Sequence, residues 1–184
     1  SSDNNTWFTS EVTYIVATGD RYTIKEIHYE SKDQNVLNFI WTNQENTYIK
    51  KGDYIDYSKF ELEKSRLAVG LQNFGYNNFS PNYFEISGDS SKVDKHVNIT
   101  IDVRSPLPDT LHQQFTIGKI SVFTDYFKDQ QDASLTKEDT LNMVFHRQSQ
   151  QYLVKPSLLR NSIFFKEGEL LRRDDRQKTF RKLN

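Results

Sequence analysis

The chain of 184 residues contains no cysteine. That excludes thiolate catalysis, a disulfide framework and cysteine-ligated zinc. It has only seven glycines, and no Gly-rich phosphate loop or Gly-x-Ser-x-Gly elbow can be found among them. No apolar run approaches the ~20 residues a membrane-spanning helix needs. The first residues carry no export-leader pattern. An excess of one charge is also missing: 24 basic residues face 25 acidic ones, for a net charge of -1. The chain as a whole is therefore not steered toward nucleic acid or anionic lipid.

The candidate chemistry is equally thin. The four histidines, His28, His96, His112 and His146, lie on different predicted elements. Without a His-x-x-x-His pair, zinc has no helical platform. Asp174 and Asp175 stand at a predicted helix start, where acids complement the helix dipole. Asp125, Asp129, Asp132 and Asp139 lie in a polar stretch, 125–139, whose spacing does not fit a calcium loop. We read that stretch as a solvated loop. No catalytic residue, metal ligand or cofactor site emerges. The Asn-x-Ser/Thr triplets at Asn4, Asn78 and Asn98 are of a kind that arises by chance.

What is present is aromatic. Hydrophobic residues make up 35% of the chain and aromatics 14%. Phe and Tyr bury a large area each, so small aromatic cores are expected in place of one large core. Mean hydropathy is -0.76, in keeping with a wet, charged surface.

The chain also repeats itself. Tyr22-Thr23-Ile24-Lys25-Glu26-Ile27 has the layout of Phe115-Thr116-Ile117-Gly118-Lys119-Ile120, an offset of 93 residues. In both, the apolar alternation slips by one place, which predicts a bulge or twist. Tyr48–Ile55 matches Phe164–Leu171 at an offset of 116, with Gly52 and Gly168 at the turn. Ser58 with Glu61, and Asp174 with Gln177, fit capping boxes at that same offset. The second copy thus has a longer connection between its first strand and its helices.

Between the repeats, one unit reads as complete. A first strand covers about 22–30. A helix near 34–46 offers Leu37, Ile40 and Trp41. A helix near 58–74 carries Phe60, Leu67, Leu71 and Phe74 on one stripe and stops at Gly75. A strand near 82–87 turns at Gly88-Asp89 and returns as Val97–Val103, whose alternation marks a half-buried strand. The order is β-α-α-β-β: a three-stranded mixed sheet covered on one face by two helices. Residues 7–18, with Val12, Tyr14 and Val16, read as the closing strand of a preceding unit.

This pattern resembles the POTRA (polypeptide-transport-associated) domain. The residues that carry the resemblance are the Gly52-Asp53-Tyr54-Ile55 turn, the helix ending in Phe74-Gly75-Tyr76, and the strand Val97–Val103. In the second copy they are Lys155-Pro156, Leu158-Leu159, the Gly168 turn, Thr179 and Leu183. That stretch is similar to the barrel-proximal region of the BamA/TamA superfamily, with the TamA/TamL-like branch the best placement. The resemblance implies an α+β fold of tandem units: 1–20 the end of a preceding unit, 21–105 a complete domain, and 106–184 a second domain ending after its second helix begins. In that second domain Phe115–Thr124 is expected to lack a partner strand, and the 126–156 connection is longer than a minimal unit needs.

The resemblance further implies a non-enzymatic, periplasmic scaffold of an outer-membrane assembly protein. Its partners would be unfolded outer-membrane or passenger polypeptides, accessory assembly proteins and its own C-terminal β-barrel, with no nucleic acid. Clients would add a strand to an exposed sheet edge, and the expected edge is at 82–87, lined by Tyr83, Phe84 and Ile86. Gly52, Gly75, Tyr76 and Gly168 are its structural motif residues. Read from the residues alone, the basic cluster of Arg172, Arg173, Arg176 and Arg181, with Lys178 and Lys182, is partly offset by Asp174, Asp175, Glu167 and Glu169 and reads as a charged, solvated helix face, the alternative being a face toward the membrane or barrel rim. The alternative reading is a secreted adhesion or ligand-binding module, in which the aromatics form a pocket in place of cores.

Overall fold

The computed structural model describes residues 10–15, 19–124 and 136–184. It holds two three-stranded mixed sheets, each with two α-helices following in the chain or inserted between its strands. The expected α+β architecture is therefore what forms.

The first unit runs β1 (Thr23–Ser31), α1 (Gln34–Thr42), α2 (Tyr57–Asn73), β2 (Phe84–Ser91) and β3 (His96–Val103). The sheet order is β1-β3-β2, with β3 parallel to β1 and antiparallel to β2. Val97, Ile99, Ile101 and Val103 are buried in strict alternation, so β3 lays its apolar face under the helices. Val36 and Ile40 of α1, and Phe60, Leu67 and Leu71 of α2, complete the core. The slip in the apolar pattern is a bulge: the register shifts between Ile24 and Glu26.

Several local expectations are corrected. Trp41 is exposed and meets Tyr29 edge-on, while Val36 takes the inward place. The cap of α2 is Asp56, whose carboxylate accepts from Ser58 N. Ser58 already lies inside the helix. β2 does not turn at Gly88 but continues to Ser91, and the turn is Lys92–Lys95, with Lys95 at φ 52°. A four-residue loop keeps Ser91 opposite His96. Residues 10–15 form no strand, and Val12, Tyr14 and Ile15 are exposed. Among the described residues no strand pairs with them. Val16 lies outside the described residues.

The second unit reuses the same joints. Ile24 N donates to Asp53 O at 2.8 Å, and Ile117 N to Glu169 O at 2.7 Å. Gly52 N donates to Ile24 O at 2.7 Å, and Gly168 N to Ile117 O at 2.8 Å. The isolated bridges Thr23–Tyr54 and Thr116–Leu170 correspond as well. Every pair obeys the offsets of 93 and 116 read from the sequence. Gly52 and Gly168 adopt φ of 88° and 83°, a left-handed conformation open to glycine at little cost.

A third correspondence involves a buried polar anchor. Glu63 is fully buried in α2, and its carboxylate accepts from Tyr48 N at 3.0 Å. Arg66 closes the site, donating to both carboxylate oxygens at 2.9 and 2.6 Å and to Asn43 O. At offset 116, the Thr179 hydroxyl is buried and accepts from Phe164 N at 3.0 Å. Burial and the Glu63 charge push the Tyr29 hydroxyl up to about 12.

The expectation that Phe115–Thr124 lacks a partner is overturned. β4 (Ser121–Phe123) pairs in parallel with β6 (Met143–Arg147), and β5 (Thr136–Thr140) pairs antiparallel with β6. The stretch read as a loop thus ends in a strand. Residues 125–135, with Asp125, Asp129 and Asp132, lie outside the described residues. Met143 and Phe145 are buried against Ile163, Leu159 and Phe165. Leu141 and Asn142, at φ 54° and 59°, make a two-residue turn whose twist suits a hairpin. The helices α3 (Pro156–Ser162) and α4 (Arg173–Leu183) follow.

Candidate functional site: a sheet edge and its groove

β2 is an edge strand. Among the described residues nothing pairs with its outer side. Tyr83 O accepts from Arg104 N at 2.8 Å. In an antiparallel ladder such bonded pairs alternate with unbonded ones. Counting in twos through the register, Glu85, Ser87 and Asp89 spend their backbone groups on β3. Phe84, Ile86, Gly88 and Ser90 aim theirs outward. The row of unpaired N–H and C=O groups is therefore built on these four residues.

The same four direct their side chains toward the helix face. Phe84 is buried against Phe79. From Ile86 onward the strand leaves the helix and a groove of about 1130 Å³ opens between β2 and the start of α2. Its floor includes Phe60, Val97 and Ile99, which are buried, and its rim includes Tyr57, which is 82% exposed. Gly88 has no side chain to fill the groove; a Cβ there would stand 3.0 Å from Val97 Cγ2. At the open end, Arg21 lies over the Tyr54 ring at 5.5 Å and Lys64 pairs with Glu61. The result is an apolar trough with a polar lip beside a free strand edge.

Of the three edge residues read from the sequence, Ile86 lies in this groove. Phe84 is a core residue and cannot line it. Tyr83 closes the short 3-10 turn Pro81–Tyr83 and packs on Phe79 and His112, at the other end of the strand. The groove thus lies toward the Ser90 end of the strand. Gly88 and Ser90 follow from a period-two count along β2 from Phe84, whereas Tyr57, on α2, has no such local signal.

Of the motif residues, Gly75 and Tyr76 stand at the junction of the units. Gly75 has φ 91°, and Tyr76 N donates back to Leu71 O at 3.0 Å, closing α2. A Cβ on Gly75 would meet Gln114 Cγ at 2.9 Å and Leu170 Cδ2 at 3.1 Å. Phe115 N donates to Gly75 O at 2.8 Å, and Tyr76 is buried. Asn73 Oδ1 accepts from Asp174 N at 2.9 Å, so α4 receives its cap from α2 and not from a box of its own. Arg176 donates to Asn77 Oδ1 at 2.7 Å. Arg172, Arg173 and Arg181 lie on or beside the same helix, α4.

Among the described residues no group of three His, Asp or Glu side chains is placed to hold a metal ion, and no helix is long and apolar enough to cross a membrane. His112 lies tilted against Phe79 at 4.5 Å, and His146 stacks on Phe123 at 4.4 Å. These are packing roles.

No protein-family model matches the sequence, and no curated protein matches it. Among solved structures the chain is similar to BamA POTRA3-5 of Haemophilus influenzae, at 11% identity and a TM-score of 0.46. The match covers 88% of this chain and 49% of that one, so the chain spans about half its length. It is also similar to POTRA1-2 of the periplasmic domain of Omp85 from Anabaena, at 10% identity and a TM-score of 0.42, covering 90% and 78% of the two chains. The N-terminal domain of Omp85 from Thermosynechococcus elongatus matches at 8% identity and a TM-score of 0.32, covering 90% and 86%.

Proposed function

We propose that this chain is a periplasmic, POTRA-type scaffold of an outer-membrane assembly protein of the TamA/TamL-like branch, which receives extended polypeptides by strand addition. The observation that carries this reading is the open edge of β2 beside the apolar groove. An incoming strand would bond the outward groups of Ile86, Gly88 and Ser90. It would drop every second side chain over Val97 and Ile99. Main-chain bonds supply affinity without reading sequence, which suits unfolded outer-membrane or passenger chains. The sequence motifs around Gly52, Gly75 and Gly168 support the same family.

The test is a proline placed on the free edge. Ser90→Pro removes an outward N–H and no ladder bond, so the domain keeps its fold. A fluorescent peptide with the alternating pattern of a barrel strand should lose about tenfold in affinity, the worth of roughly one hydrogen bond plus the steric block. Unchanged affinity in the folded variant would remove this edge from the function.

A further inference from the structure

The basic residues of the second unit are not spread evenly around α4. At 100° per residue, one half of the helix surface runs through Leu183, Arg176, Phe180, Arg173, Gln177 and Arg181 and contains no acid. Asp174, Asp175, Lys178 and Lys182 all fall on the other half, where Lys178 pairs with Asp175. Arg172 stands at the N-cap and adds a fourth arginine beside the first half. Among the described residues none of the four arginines meets a carboxylate: Arg176 donates to the amide of Asn77 and Arg181 to Gln177 O. In their midst Phe180 is 68% exposed. Thr179, buried and bonded to Phe164 N, fixes the helix to the body of the unit.

An exposed aromatic ringed by uncompensated guanidinium groups fits a bilayer surface. Guanidinium matches phosphate oxygens in a planar fork. The aliphatic stems of arginine lie along apolar surface while the charged heads stay in water. A helix with apolar residues amid a basic face, and low mean hydropathy, lies in the plane of the interface. We infer that the Arg172–Arg181 face of α4 docks on a membrane surface bearing anionic phospholipid headgroups, with Phe180 inserted among them. This face is separate from the β2 groove and does not depend on client binding there.

Vesicle co-sedimentation of the 184-residue chain tests this. Vesicles of equal parts phosphatidylethanolamine and phosphatidylglycerol should bind it, and phosphatidylcholine vesicles should not. Binding should fall steeply between low and high salt. Arg172→Glu with Arg181→Glu should cost at least about tenfold, and Phe180→Ser at least about threefold. Both changes sit on exposed positions, so circular dichroism should show an intact fold. Lys178→Glu with Lys182→Glu makes the same change in net charge on the other half and should cost less than about threefold. Equal loss in the lysine variant would mean that only overall charge matters and would overturn the inference. Equal binding to both vesicle types, indifference to Phe180→Ser, or full displacement by millimolar inorganic phosphate would overturn it too.

Discussion

In the first unit the strand that fills the centre of the sheet comes last in the chain; in the second it comes before either helix. The two centres occupy the same place. Tyr29 of β1 faces Ile101 of β3, and Val122, its counterpart at offset 93, faces Phe145 of β6. Each centre is parallel to the first strand and antiparallel to its own hairpin partner. A sheet needs an apolar strand of the right register in its middle, and chain order is indifferent to where that strand is encoded. The pairings differ in extent: β1 and β3 are matched along eight register pairs, β4 and β6 along three. The outer strand β5, Thr136–Thr140, is largely exposed and charged. The first unit is held by a broad core and the second by a narrower one around Phe145.

The sharpest way to break this equivalence is at the buried anchors. Glu63→Ala should cost the first unit about 3–5 kcal/mol, because Arg66 and Tyr48 N lose their partner inside the core. Thr179→Ala should cost the second unit only about 1–2 kcal/mol, the loss of one neutral bond to a backbone donor. Urea titrations followed by probes in each unit separate the two, and equal costs would mean that the charge of Glu63 adds nothing to its anchor.

Next comes the inserted strand. Phe145→Ala should cost about 3–5 kcal/mol and release hydrogen-exchange protection from Ser121–Phe123, while β1 and β3 stay protected. If β4 keeps its protection, the hairpin does not complete the second sheet.

A further contrast is an alkaline pH dependence carried by the buried tyrosine of the first unit. The Tyr29 hydroxyl titrates at about 12 in the fold, against about 10 in an unfolded chain. Its protonated form is favoured by folding. That contribution is fully present below pH 10 and is lost as pH rises through 12, in all about 2–3 kcal/mol. Tyr29→Phe should flatten this part of the stability curve between pH 10 and 12, and an unchanged slope would place Tyr29 in water.

Much of the first unit was legible because its signals are local. The alternation of Val97–Val103, the glycine turn at Gly52 and the stripe of Phe60, Leu67 and Leu71 each report a neighbour a few residues away. The 3-10 turn that buries Phe84 and the length of β2 were not legible, since packing on Phe79 and pairing with His96 decided them. The strand expected at 82–87 therefore starts two residues later and ends four residues later, at Ser91. In the second unit, Met143-Val144-Phe145 is too short an apolar run to announce a central strand within a polar stretch.

By itself the sequence determined the repeat, its two offsets, the mixed α+β class and the absence of a catalytic or metal constellation among recognisable motifs. Those are properties of spacing and residue type, and spacing survives folding unchanged. Only the tertiary structure decided that the inserted hairpin fills the second sheet, that Glu63 and Thr179 are buried anchors, and that Asn73 caps α4. It also decided that the open edge lies at Ile86–Ser90. Each of these joins residues far apart in the chain, or depends on how far one element reaches before another blocks it. Such contacts are set by the packing of the whole molecule and leave no local mark in the order of residues.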